Sequence, residues 1–174
     1  MFKKKPILKT LIKNKNYVAF SIILFLITFV IYTYYYDILI PGLPNGSYRH
    51  AIGQYFAIPA FLLAGGQVML AGVIIFFAAN TYKNNQDFEK SLLISSVLVL
   101  MFAMTYVMFP MYGPFYYIVF AVGGPPYVLV VELVWSIAML VVATNMINKL
   151  HKIGKLNALI TAFVTLVFIM VAAS

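Results

Sequence analysis

Long apolar runs, separated by short polar stretches, are the main pattern of this sequence. Five of these runs are long enough to cross a bilayer as helices, and they lie at residues 17–36, 55–79, 91–109, 127–147 and 156–173. A hydrocarbon core of about 30 Å requires about 20 apolar residues, and a helix satisfies its own backbone hydrogen bonds there. The pattern predicts an all-α integral membrane protein with five transmembrane helices in a single domain, residues 1–174.

The stretch between the third and fourth runs interrupts this pattern. Residues 110–126 begin at Pro110, end at Pro125 and Pro126, and enclose an apolar run at 115–122 that is too short to cross a bilayer. Proline removes a backbone donor, so we expect these proline and glycine clusters to stop both neighbouring helices. The sequence predicts a broken segment on the outer side, which either re-enters the bilayer or lies on its surface.

The distribution of basic residues predicts the orientation of the five spans. Of 12 lysines and arginines, six lie before the first span, two between the second and third, three between the fourth and fifth, and Arg49 alone on the other side. Basic residues accumulate in cytoplasmic loops. This asymmetry predicts a multi-pass protein, in the cell membrane, with the tail 1–16 in the cytoplasm and Ser174 outside. We expect its inner loops to contact anionic lipids.

The composition supports a membrane location and restricts the chemistry. The chain is 64% hydrophobic and 9% charged, has a mean hydropathy of +0.97 and contains no cysteine. An ordinary soluble domain is about 45 to 50% apolar and about 25% charged. Without cysteine the chain supplies no thiolate for zinc, iron–sulfur or redox chemistry. Because topology and lipid contact account for the net charge of +8, we expect no nucleic-acid partner.

A 65-residue shift aligns the second and third spans with the fourth and fifth. The shift places Asn80 on Asn145, Lys90 on Lys155 and Gln67 on Glu132. This is either a parallel internal repeat or a coincidence of similar composition among membrane helices. A true repeat favours a compact four-helix unit with the first helix packed outside it.

One acidic residue, Glu132, lies inside a predicted span. A carboxylate in hydrocarbon is costly unless it is paired, so we expect Glu132 to face protein or water. Its candidate partners are Gln67 in the middle of the second span, Arg49 in the outer loop and backbone at 123–126. Two roles remain open for this polar intramembrane site: a structural pairing, or the acceptance of protons or binding of ions.

Small residues recur along one face of the second span. They permit close helix packing in a membrane, where packing rather than hydrophobicity distinguishes partners. We predict a helix-packing stripe, and its partner helix belongs either to this chain or to another subunit. The stripe comprises Ala57, Ala64, Ala71 and Ala78, with Gly65 and Gly72 beside it.

The remaining polar residues form no known catalytic or metal-binding motif. His50 and His151 fall in loops on opposite sides of the membrane, which excludes a bis-histidine haem, and we expect His151 to belong to a cationic loop at the lipid headgroups. Asn80 and Asn145 end their spans and are expected to cap carbonyls. Asn45 begins a glycosylation acceptor sequence in the outer loop.

These features favour a non-catalytic polytopic subunit of a larger membrane complex, plausibly an accessory subunit of a respiratory or other redox assembly. We expect other membrane subunits as partners, no metal and no cofactor bound by this chain alone, and contacts with lipid or quinone. Many tyrosines cluster at the outer boundary, where they form either an aromatic belt or the lining of a vestibule. The alternative function is a small ion or solute transporter or channel that uses Glu132 and Gln67.

Overall fold

A computed structural model describes residues 16–38, 46–108 and 114–172, with side chains described for 16–33, 60–105, 121 and 129–172. The described residues form five helices. These are α1 (Tyr17–Ile38), α2 (Gly46–Tyr82), α3 (Phe88–Met108), α4 (Pro114–His151) and α5 (Lys155–Val171). The first fifteen residues of the basic tail and the acceptor residue Asn45 lie outside the described residues.

The helical prediction is confirmed, and the described part of the chain is all-helical. Within it, α2, α3 and α4 each contain a stretch that is long and apolar enough to cross a membrane, while α1 and α5 supply shorter apolar stretches. Such helices are compatible with a membrane protein because every interior backbone group is bonded within its own segment.

Two helices begin much earlier than the sequence predicts, and both continue through interior prolines. α2 begins at Gly46 rather than at residue 55 and continues through Pro59, and α4 begins at Pro114 and continues through Pro125 and Pro126. The described part of 110–126 is therefore continuous with the fourth helix and is not a break. Proline suits the first turn of a helix, where its missing N–H has no helical partner. Interior prolines are tolerated in membrane helices when neighbouring groups satisfy the freed carbonyls.

The helices pack as a ring of four with one addition. α2 contacts α3, α3 contacts α4, α4 contacts α5, and α5 contacts α2, whereas α1 packs against α2 and α3. This arrangement matches the four-helix unit that the repeat hypothesis favours. The aligned polar residues are not equivalent, however, because Gln67 is 2% exposed and Glu132 is exposed.

Small side chains let α2 approach its neighbours closely. Among its described side chains, the fully buried alanines are Ala60, Ala64, Ala71 and Ala79. A Cβ added at Gly72 would lie 3.2 Å from the Ser95 hydroxyl oxygen of α3 and 3.6 Å from the Cα of Leu92, whereas one added at Gly65 would lie 3.6 Å from the Phe25 ring of α1.

These contacts place the predicted stripe residues unevenly. Ala64 and Ala71 are buried, Ala78 is half-buried, and the side chain of Ala57 lies outside those described. The contacts at Gly65 and Gly72 are with helices of this chain, so this part of α2 packs within the molecule.

Two short connections close one end of the ring, which we call the lysine-bearing end. Residues 83–87 join α2 to α3, and residues 152–154 join α4 to α5. The chain reverses through left-handed backbone at Asn85 (φ 62°), Lys152 (φ 57°) and Gly154 (φ 89°). A left-handed residue directly after a helix is a common way to end it, and Lys152 holds that position after α4.

Candidate functional site

The most buried polar side chain in the middle of α2 is Gln67, and it connects three helices. The Tyr32 hydroxyl of α1 donates to Gln67 Oε1 at 2.6 Å, and Gln67 Nε2 donates to the Ile169 carbonyl of α5 at 3.5 Å. Tyr32 and Gln67 are 1% and 2% exposed. Ile169 is in the last turn of α5, where the helix itself supplies few partners for its carbonyls. This Gln67 network is neutral and hydrogen-bonded, and it holds α1 and α5 to α2.

A second buried network lies at the lysine-bearing end, around His151. His151 Nδ1 lies 2.8 Å from Gln86 Oε1, and Nε2 lies 3.1 Å from the Ser91 hydroxyl oxygen. Gln86 Nε2 donates to the Lys83 carbonyl at 3.0 Å, which directs the amide oxygen toward the imidazole. Because that oxygen only accepts, Nδ1 carries the proton and Nε2 accepts from Ser91. We call these three side chains the His151 network.

Burial keeps the His151 ring neutral. His151 is the last residue of α4 and lies four residues beyond the span 127–147 that the sequence predicts. Burial first, and the nearby Lys90 ammonium second, lower the pKa of His151 from 6.5 to about 4, although Asp87 partly opposes the change. Asp87, which directly precedes α3, forms an ion pair with Lys90 in the first turn of that helix. At neutral pH the network therefore carries no charge of its own.

The donor order in the His151 network is that of a nucleophilic hydroxyl, a base and an orienting amide. Ser91 donates to the imidazole, and the imidazole donates to Gln86, as in a hydrolase triad. Ser91 is 0% exposed and His151 is 1% exposed. An acyl substrate must reach the hydroxyl oxygen, and the burial of Ser91 leaves no route to it. In this conformation the network joins α3, α4 and the 83–87 connection.

The prediction made for His151 from the sequence was wrong. That prediction placed His151 in a cationic loop at the lipid headgroups, whereas its side chain is buried against Ser91 and Gln86. The bonded partners are 60 and 65 residues away in the chain, so no local motif indicates the contact. The sequence did offer one signal for this contact. The two short connections that lie at the same end of the bundle both contain polar residues.

Asn80 was expected to end its helix and cap carbonyls, but α2 continues to Tyr82, and Asn80 bonds to an interior carbonyl and to the following connection. Its Nδ2 donates to the Phe76 carbonyl at 3.1 Å, and its Oδ1 accepts from the backbone N–H of Gln86 at 3.1 Å. Asn80 thereby connects the end of α2 to the same connection that supplies the His151 network. Asn145 is exposed on α4 and does not share this arrangement.

Glu132 does not meet the partners proposed for it from the sequence. Its side chain is exposed on α4, and Ser136 donates only to its backbone carbonyl, at 2.9 Å. Within the described side chains no group bonds to the carboxylate, and Gln67 is engaged by Tyr32 and Ile169 instead. The side chain of Arg49 lies outside those described.

Two apolar grooves open on the surface of the bundle. One, of about 230 Å³, lies between α4 and α5 and includes Ser136, Ile137 and Phe163 in its lining. The other, of about 200 Å³, lies between α1, α2 and α3 and includes Ser21, Phe25 and Gly65. Their linings are almost wholly apolar, so each suits an aliphatic chain or an apolar side chain.

The described part of the chain contains no group of three or more histidine or acidic side chains that could hold a metal ion. No known protein family matches this chain, and no curated protein and no solved structure is significantly similar to it.

Proposed function

We propose that this protein is a non-catalytic membrane subunit that assembles with other membrane proteins. The observation that carries the proposal is the exposed side of α4. Only 17% of its apolar stretch is buried, against 50% for α3, and the exposed residues include Glu132. A carboxylate directed toward lipid is costly, and a partner that covers it removes that cost.

The interior of the molecule supports the same proposal. Among the described side chains, Gln67 and His151 are the buried ones with most capacity for polar chemistry, and both are engaged by neighbouring groups. A transport site needs polar groups that are free to exchange partners with a substrate. The polar groups here join helices, which is what a packing subunit requires. Membership of a respiratory or redox assembly, and contact with quinone, remain predictions from the sequence.

Purification from the native membrane tests the proposal. We expect the tagged chain, extracted in a mild detergent, to migrate on native gels as a complex larger than one chain, with partners in fixed stoichiometry by mass spectrometry. The competing function is a transporter that uses Glu132 and Gln67. A monomeric chain that conducts protons or cations in proteoliposomes, and loses this flux on Glu132→Gln, would establish the transporter and refute the subunit.

A further inference from the structure

The exposed side of α4 is long, apolar and continuous. From Leu129 to Val141 it extends over about 18 Å at 1.5 Å per residue. The exposed apolar residues of this α4 face are Leu129, Val130, Leu133, Val134, Ile137 and Val141, and Glu132 lies among them. These apolar side chains form a ridge, and one of them, Ile137, also lines the groove of about 230 Å³ between α4 and α5. A ridge beside a groove is the surface on which another helix packs.

The length of the α4 face favours a helix over a small molecule. The groove alone would accommodate one aliphatic chain, but the exposed residues continue past it to Leu129. Helices in lipid associate through extended packing of this kind, together with polar contacts between them. A helix that lies along the face would place side chains in the groove and a side chain opposite Glu132.

The charge on the α4 face determines the chemistry of the partner. A second copy inserted with the same topology would dimerise about an axis along the membrane normal, which brings the two Glu132 carboxylates toward each other. Like charges at close range disfavour that contact, whereas a lysine or arginine would form a charge-assisted hydrogen bond. In the span 127–147 predicted from the sequence, Glu132 lies five residues, about 7.5 Å, from the outer end. At this depth a long basic side chain can extend to the interface until it meets its partner.

We propose that the α4 face docks a transmembrane helix of another protein that places a lysine or arginine opposite Glu132. This inference rests on the proposed function and identifies the chemistry of the partner. It requires Glu132 and the neighbouring apolar ridge together, and neither feature alone would select such a helix.

Synthetic helices test the proposal directly. Three leucine-based 21-residue peptides, flanked by tryptophan and differing at one position near the outer end (Arg, Gln or Leu), are titrated in phosphatidylcholine vesicles against the full chain. Energy transfer from a dye at Lys152→Cys reports binding. We expect the Arg peptide to bind at least tenfold more tightly than the other two, and Glu132→Gln to abolish that preference. Glu89→Gln, which changes an exposed carboxylate on α3, is the matched control and should retain it.

A second pair of variants locates the contact. Ile137 on α4 and Ile23 on α1 are 53% and 51% exposed, so the same substitution perturbs equivalent surfaces. We expect Ile137→Trp to weaken binding of the Arg peptide at least fivefold and Ile23→Trp to leave it unchanged.

Equal binding of the three peptides, or equal binding of the Arg and Gln peptides, would overturn the proposal. So would self-association of the chain that Ile137→Trp abolishes, or a lipid probe that occupies the groove where no peptide binds.

Failure of this inference and failure of the proposed function give different results. Photo-crosslinking from position 137 and from position 23 in the native complex separates them. A complex that crosslinks only from position 23 retains the proposed function and refutes the α4 face as its interface. A chain that carries no partner at all in native membranes refutes the proposed function.

Discussion

Acidification should destabilise this protein through one buried residue, His151. Its folded-state pKa is about 4, against an ordinary value of 6.5, because burial disfavours the charged ring. Between these two values the unfolded chain binds more protons than the folded one, so stability increases with pH in that window. The stabilisation is complete above pH 6.5 and is lost as the pH falls toward 4.

The size of the effect follows from the two pKa values. A difference of one pKa unit corresponds to about 1.4 kcal/mol, so complete protonation of His151 would cost roughly 3 kcal/mol. Between pH 7.5 and pH 5 the expected loss is about 2 kcal/mol. For a chain of this size that corresponds to a decrease in Tm of roughly 4 to 8 °C.

Thermal unfolding in a maltoside detergent, followed by Trp135 fluorescence, measures this loss. Trp135 is the single tryptophan of the chain, and it packs against the main apolar core. The matched variant is His151→Asn, which retains a donor toward Gln86 but does not titrate. We expect wild-type protein to lose Tm between pH 7.5 and pH 5, and the variant to lose at most a third as much. Equal losses in both proteins would show that other groups cause the pH dependence and that His151 is not buried and neutral.

Three further predictions concern packing, the Gln67 network and topology. Gly72→Leu should lower the free energy of unfolding by about 1 to 3 kcal/mol through overpacking against Ser95 and Leu92. Gly66→Leu should be nearly neutral in the same unfolding assay, because nothing lies within 4 Å of a Cβ added there. Equal effects of the two substitutions would contradict the close approach of α2 to α3. Gln67→Leu should cost about 1 to 3 kcal/mol because it removes the acceptor of the Tyr32 hydroxyl, and adding Tyr32→Phe should restore part of that loss in a double-mutant cycle. An impermeant thiol reagent should label Ser174→Cys but not Lys5→Cys in intact cells, and the reverse pattern would refute the predicted orientation.

The helices were predictable because the solvent limits the choice of structure. A run of 20 apolar residues in lipid must satisfy its own backbone, so each long run became helical. The ends of the helices were less predictable. Pro125 and Pro126 indicated a break, yet α4 continues through them, because a membrane helix can tolerate proline when its surroundings satisfy the freed carbonyls. Whether they do so depends on neighbours that a local pattern does not specify.

The polar sites were less predictable than the helices because helix rotation is a tertiary property. Gln67 and Glu132 both lie in apolar spans, and both looked suited to one intramembrane site. In the structure Gln67 faces inward and Glu132 faces outward. α4 is apolar around its circumference, so the sequence contains no amphipathic signal to show which side it buries. His151 was missed for a related reason, since its partners come from a different hairpin.

The two polar networks together determine which helices meet. In lipid, apolar helix faces gain little from exchanging a leucine neighbour for a lipid tail, so hydrophobicity alone discriminates weakly between arrangements. The Gln67 network engages α1, α2 and α5, and the His151 network engages α3, α4 and the 83–87 connection. Every helix therefore contributes a group to one network or the other. Because hydrogen bonds are directional, these contacts fix the rotation of α4, and with it the outward position of Glu132. Binding of the partner proposed to recognise Glu132 should therefore depend on His151, which lies at the far end of the same helix.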